Sequence, residues 1–186
     1  MSDYEMAVRD LLVKQRLHEL EMAYCRGVDR RDPELLRSIF FEDAIEEHGD
    51  MYQGPAYAFV DWVFSDFIGE FEITAHYVLN EWYRVSGDKA EGETHRVSYH
   101  RQRGNGDGDS AIETIAACRT FNRYELRDGV WKISYRGVVR DWITQRPVDD
   151  ALYEGHFAMT QSRHDDADRS YAALSMFGRG PIDKIA

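Results

Sequence analysis

The chain has 186 residues, with 43% hydrophobic and 13% aromatic content, which is enough to bury a core in one domain and too apolar for a disordered segment. Its formal net charge of -11 and pI of about 5.1 disfavour a nucleic-acid surface or an anionic membrane, since both call for clustered Lys and Arg. No apolar window approaches a bilayer span, and the N-terminus lacks a secretory h-region. Two cysteines, Cys25 and Cys118, form neither CxxC nor metal-ligand spacing, so the expectation is a soluble protein of the reducing cytoplasm.

In chain order, Ser2 is placed to cap a first helix running to about Gly27, with Leu11, Leu12, Leu17, Leu20, Tyr24 and Val28 on one buried stripe. Asp32-Pro33 reads as N-cap followed by first helical residue, opening a short second helix through Ile39. Residues 41–48 form a weak strand closed by Gly49-Asp50. Gly54-Pro55 then opens a third helix with Ala56, Phe59, Val60, Val63, Phe64, Phe67 and Ile68 on its apolar face. From Phe71 the period becomes two. Strands are predicted over 73–85, 90–103, 112–126 and 130–143, separated by Ser86-Gly87-Asp88-Lys89, the loop 104–109 and Arg127-Asp128-Gly129. Three successive hairpins behind a helical N-terminal third give an α+β domain over 1–143. Residues 144–186, polar apart from a patch at 171–177, are expected to pack on the pocket or a neighbouring subunit, or to be partly mobile.

Two stretches carry candidate chemistry. In Tyr24-Cys25-Arg26-Gly27-Val28-Asp29-Arg30-Arg31-Asp32, a phenol and a carboxylate stand where the apolar stripe of the first helix meets a run of charge. Five residues place them roughly 140° apart on an ideal helix, flanking a cavity and converging only if the helix unwinds near Gly27. In Thr74-Ala75-His76-Tyr77, alternation groups Thr74, His76, Val78, Asn80 and Trp82 on one strand face. An acid past a helix end is commonly solvated, and a lone strand histidine is commonly structural. Paired, a buried Asp29 would fix the tautomer of His76 and leave its other nitrogen as a general base.

The last strand adds cations, with Lys132, Ser134, Arg136, Val138 and Arg140 on one face by alternation. If that face is concave, Arg136 or Arg140 can hold a developing oxyanion or leaving group, with Arg119 a weaker candidate. His95 and His100 are five apart and point to opposite faces. Asn105, Asp107 and Asp109 mimic the start of a calcium loop, but Ser110 and Ala116 stand where its glycine and closing glutamate belong, so a plain hairpin loop is expected. No GxSxG nucleophile motif is present.

From about Leu11 to Trp142 these stretches, together with Arg123-Tyr124-Glu125-Leu126-Arg127-Asp128-Gly129-Val130-Trp131-Lys132-Ile133 and Arg140-Asp141-Trp142, resemble the SnoaL-like branch of the nuclear transport factor 2-like (NTF2-like) superfamily. The resemblance implies a cone-shaped α+β barrel, cystatin-like in outline, in which N-terminal helices pack on a curved antiparallel sheet around a pocket. Within it, the scytalone dehydratase, lindane dehydrochlorinase and bile acid 7α-dehydratase group is the most similar, and its members are cofactor-free lyases. That implies Asp29 as catalytic aspartate, His76 as base, Tyr24 as the phenol one turn earlier and Arg136, or Arg140 in a shifted register, as the strand arginine. Asn122 departs from the acidic residue expected there.

The expected function is therefore elimination of water or another small leaving group from an apolar, cyclic or polycyclic small molecule. No metal or organic cofactor is needed, and Phe59, Trp62, Trp82 and Tyr99 would wall the pocket. An isomerase or cyclase would share the first proton transfer. A non-catalytic assembly module, as in the small subunits of ring-hydroxylating dioxygenases, is the alternative of another class. A homo-oligomer, trimer or dimer, is expected from the open sheet face and from the relatives.

Overall fold

The computed structural model describes residues 2–104, 109–148 and 160–182; most of the predicted 104–109 loop, including Asn105 and Asp107, lies outside them. Helix α1, Asp3–Asp29, starts in a capping box: the Ser2 hydroxyl accepts from Glu5 N, and the Glu5 carboxylate accepts from Ser2 N. Leu17, Leu20, Tyr24 and Val28 are buried as the periodicity predicts. Leu11 and Leu12 are not, at 67% and 66% exposure. There the helix runs past the sheet, and Arg9 already reaches the carbonyl of Gly87 at a hairpin tip. No unwinding occurs at Gly27. Its missing side chain serves packing instead, because a Cβ there would lie 3.1 Å from Leu36 Cβ and 3.2 Å from Leu36 Cα on helix α2, Pro33–Ser38. Asp32 caps α2 by accepting from Leu35 N at 3.0 Å.

Strand β1, Phe40–Glu47, is followed by a short strand not anticipated from sequence, β2, Gln53–Pro55, and by α3, Ala56–Trp62. The predicted third helix does not stay regular: it passes into a π turn at Val63–Phe67 and a 3-10 turn at Ile68–Glu70. The long strands follow as β3, Phe71–Ser86; β4, Lys89–Gln102; β5, Ala111–Arg127; and β6, Val130–Val148, which passes the expected end at 143. Asp128 and Gly129 both adopt positive φ, 52° and 78°, as a two-residue hairpin turn requires.

The sheet order is β2-β1-β6-β5-β4-β3. The hairpins are antiparallel as predicted, but β1 runs parallel to β6, so the six-stranded sheet is mixed. It curves around α1, which packs against both β3 and β6, giving a cone-like α+β fold that is not a closed barrel. The core between them includes Leu17, Leu20, Leu36, Ile39, Phe40, Phe59 and Ile133, all fully buried, each contributing about 1.5–3 kcal/mol of apolar transfer.

Irregularities in the ladders decide which side chains face inward. In β3 an extra residue enters between Val78 and Glu81, so His76 and Val78 face α1, and after the shift Glu81, Tyr83 and Val85 do. In β6 the register slips at Ser134 and again at Asp141. The inward set therefore runs Trp131, Ile133, Arg136, Val138, Arg140, Ile143, Gln145, and Lys132 does not share a face with Arg136.

In the described tail, helix α4, Arg169–Ala173, lies over the α1–α2 corner. Arg26 stacks on Tyr171 and Phe177, with ring centroids at 5.2 and 5.4 Å, and Arg179 donates to the carbonyls of Arg30 and Arg31 at 2.9 and 2.6 Å. His164 places its ring nitrogens 2.7 Å from the carbonyls of Asp29 and Glu72. Among the described residues no helix is long and apolar enough to cross a membrane.

Candidate active site

A cavity of about 690 Å³ lies between α1, the α3 segment and the concave face of the sheet. Asp29, on the last turn of α1, meets β3 beside it. Its Oδ1 is 2.7 Å from His76 Nδ1, and its Oδ2 accepts from the backbone N–H of the same residue at 2.8 Å. The carboxylate thus holds both ring and backbone of His76, and the Nδ1 contact assigns Nδ1–H as the ring's donor. Nε2 has no hydrogen-bond partner among the described residues, and the ring lines the cavity. The pair is largely withdrawn from solvent, at 15% exposure for the Asp29 side chain and 13% for His76. Burial works against the Asp29 carboxylate, but the bonds and charge from His76 outweigh it and hold the carboxyl below its ordinary range.

Tyr24 lines the same cavity, its ring flanked by two guanidinium groups: Arg136 at 3.7 Å and Arg96 at 4.5 Å from the centroid. Burial raises its phenol above the ordinary value. Both arginines are buried and each has a buried carboxylate. Arg136, 2% exposed, donates to Glu46 Oε1 at 2.8 Å, while Arg96 pairs with Glu21. Glu21 also accepts from Tyr124 OH at 2.6 Å and Asn122 Nδ2 at 2.5 Å. Asn122, the residue without a reading in the sequence, is therefore the amide that satisfies a carboxylate buried in the core. Burial of Glu21 is offset by Arg96 and the Tyr124 bond, and its carboxyl stays low.

His100, opposite Thr74 on β4, faces inward with its ring 5.4 Å from that of His76, edge to face. Burial, then the neighbouring charge of His76, pushes its pKa down to about 4. It is neutral near pH 7. His48, following β1, places Nδ1 3.1 Å from Glu46 Oε1 and stacks on Phe59 at 5.5 Å.

Of the residues expected from sequence, the structure brings Tyr24, His76, Arg136, Phe59 and Trp62 to the cavity wall, with Asp29 behind His76. Arg140 also lines it, on the same face as Arg136 but solvent-exposed where Arg136 is buried. Two expected wall residues lie elsewhere. Trp82 is 68% exposed on the outer face, because the β3 irregularity reverses its direction relative to His76. Tyr99 alternates with Ser98 and His100, so it also points outward, where its hydroxyl donates to Glu113 at 3.3 Å. Arg119 sits on that outer face between Glu93 and Asp141. Arg96, His100, His48 and Glu46 are the site residues that sequence reasoning passed over. For Arg96 and His100 a signal existed: both share strand parity with Ser98, the cross-strand partner of His76. Cys118 lines the cavity and Cys25 is buried; both are free thiols. No group of three or more His, Cys, Asp or Glu among the described residues is arranged to hold a metal ion.

Comparison with known structures returns the same architecture. A hexachlorocyclohexane dehydrochlorinase, LinA type 2, is 28% identical over 82% of this chain and 97% of its own, with a TM-score of 0.64. The LinA type 3 dehydrochlorinase from Novosphingobium barchaimii LL02 is 24% identical over 83% of this chain and 99% of its own, with a TM-score of 0.66. An NTF2-like superfamily protein from Salmonella enterica serovar Typhimurium LT2 is 17% identical, covering 79% and 99% of the two chains at a TM-score of 0.60. No curated protein matches the sequence. The model of the SnoaL-like domain matches residues 9–137, a span that holds most of α1, Asp29, His76 and the start of β6 up to Gly137. The chain belongs to the SnoaL-like domain family.

Proposed function

We propose that this protein is a cofactor-independent lyase that carries out a dehydratase-type elimination on an apolar cyclic or polycyclic small molecule. The observation that carries the reading is the two-point grip of Asp29 on His76 at the wall of a cavity of about 690 Å³. An imidazole held through Nδ1–H and open at Nε2 is a base aimed at whatever binds in front of it. Asp29 keeps the tautomer and balances the imidazolium that forms when His76 takes a proton from carbon. Charge then develops at the far side of the substrate, where Tyr24 can donate and the fixed positive charge of Arg136 lowers the energy of an enolic or departing oxygen. Phe59 and Trp62 supply apolar wall. The resemblance to a dehydrochlorinase over nearly its whole length supports the same class of reaction.

The test uses 5-nitro-1,2-benzisoxazole, whose ring opens once a base removes its C–H proton. The wild-type protein is expected to accelerate the opening, and His76→Ala to lose at least about 100-fold of that rate while keeping its thermal unfolding midpoint. An undiminished rate in His76→Ala would remove His76 from the mechanism.

A further inference from the structure

A hydroxyl leaves carbon as water only if it gains a proton, and His76 begins the cycle with Nε2 empty. A second imidazole in the cavity is built to provide that proton. On β1, separated from β3 by the three other long strands, Glu46 is fully buried and His48 follows two residues later on the same face. Glu46 Oε1 lies 3.1 Å from His48 Nδ1 and accepts from Arg136 Nη1 at 2.8 Å, so the carboxylate is anchored on one side and grips the ring on the other. Glu46 Oε2 has no partner among the described residues, which leaves the carboxylate spare acceptor capacity. His48 Nε2 has no hydrogen-bond partner among the described residues, and the ring lines the cavity.

The two imidazoles stand at the ends of one arc of rings. From His48 the chain of contacts runs to Phe59 at 5.5 Å, Trp62 at 5.9 Å, Phe67 at 5.3 Å, His100 at 6.3 Å and His76 at 5.4 Å between centroids. A flat substrate lying against Phe59, Trp62 and Phe67 would have both carboxylate-held rings beside it in the same cavity.

Resting on the elimination reading above, we propose that His48 is a second catalytic residue, the general acid for the departing oxygen, and that the substrate is a cyclic or polycyclic alcohol losing water, not a halide. The cycle starts with His48 carrying protons on both nitrogens and His76 on Nδ1 alone. His76 Nε2 takes the proton from carbon, and the C–H electron pair becomes the new π bond. The C–O bond breaks with its pair on oxygen, which takes the proton from His48 Nε2 and leaves as water. His76 ends as imidazolium and His48 as neutral imidazole, and proton exchange with solvent restores both. Glu46 and Arg136 position His48 and do not exchange protons. A halide would depart without needing such a donor.

Two probes separate the roles. Opening of 5-nitro-1,2-benzisoxazole releases a stabilised phenolate that needs no acid, whereas 4-hydroxy-4-phenylbutan-2-one must lose hydroxide or water to form its conjugated enone. His48→Gln is expected to lower the ratio of dehydration to ring opening by about 100-fold, while His76→Ala lowers both rates together. The thermal unfolding midpoint of His48→Gln reports that the fold is kept. A ratio unchanged in His48→Gln, or wild-type protein that opens the benzisoxazole but does not dehydrate the hydroxy ketone, overturns the role of His48 and leaves His76 as base. Wild-type protein inert on both probes overturns the elimination reading and this role with it.

Discussion

His100 offers a test of the cavity's electrostatics that does not depend on catalysis. The ring is buried beside His76, and its pKa falls from the ordinary 6.5 to about 4. In the unfolded chain it binds a proton near pH 6.5, and in the folded chain it does not until about pH 4, so between those values the unfolded state holds the extra proton. Stability therefore rises with pH across that window and is lost as the solution is acidified, by about 1.4 kcal/mol per pH unit. Going from about pH 7.5 to about pH 4.5, His100 alone should remove roughly 3 kcal/mol. His100→Phe places an uncharged ring where Phe67 and Phe71 already pack, with Phe71 at 4.9 Å. Urea unfolding of both proteins at the two pH values isolates the effect, since the carboxylates that titrate in acid are common to both. The variant should lose roughly 2–3 kcal/mol less than wild type on acidification. Equal losses in the two proteins would mean that His100 charges freely in the folded state and that the inner end of the cavity is wet.

The buried node at Glu21 and the outer sheet face give two further expectations. Glu21→Ala strands Arg96 without its carboxylate and takes the partner from Tyr124 and Asn122, and should cost about 3–5 kcal/mol in chemical denaturation; a loss below about 1 kcal/mol would show that water replaces the carboxylate. Tyr77, Leu79, Trp82 and Trp142 are exposed large side chains of the long strands. Sedimentation velocity is expected to show a dimer or trimer that Leu79→Asp with Trp82→Asp converts to monomer, whereas a wild-type monomer would disprove self-association.

The elements were legible where local chemistry announces them. Ser2 with Glu5, Asp32 with Pro33 and Asp128 with Gly129 each fixed a boundary through a cap or a turn that few other residues can make. Asp29 could be named because it stands where the apolar stripe of α1 ends, and His76 because it lies within a strand of clear period; the resemblance to the SnoaL-like branch implied their pairing. The direction in which other residues point was less legible. Trp82 shares parity with His76 on paper, yet one inserted residue between Val78 and Glu81 turns it outward, and no composition signal marks Leu79 or Asn80 as that irregularity. The pairing of β1 with β6 is set by contacts far apart in the chain, and without it nothing brings Glu46 to Arg136 or His48 to the cavity. Metal-ligand spacing speaks to His100 only as a ligand and cannot register a neutral ring stacked edge-on to another.

The two slips in β6 bear on how the chamber could be reshaped. Positions 136, 138, 140, 143 and 145 behave as one row of addresses only while Ser134 and Asp141 each remain an extra residue opposite β5. Removing either would leave the composition almost untouched and yet swap lumen for exterior at every address beyond it, Arg136 included if Ser134 is the one lost. A library meant to widen or narrow the chamber should thus vary those five positions and hold the two slips constant.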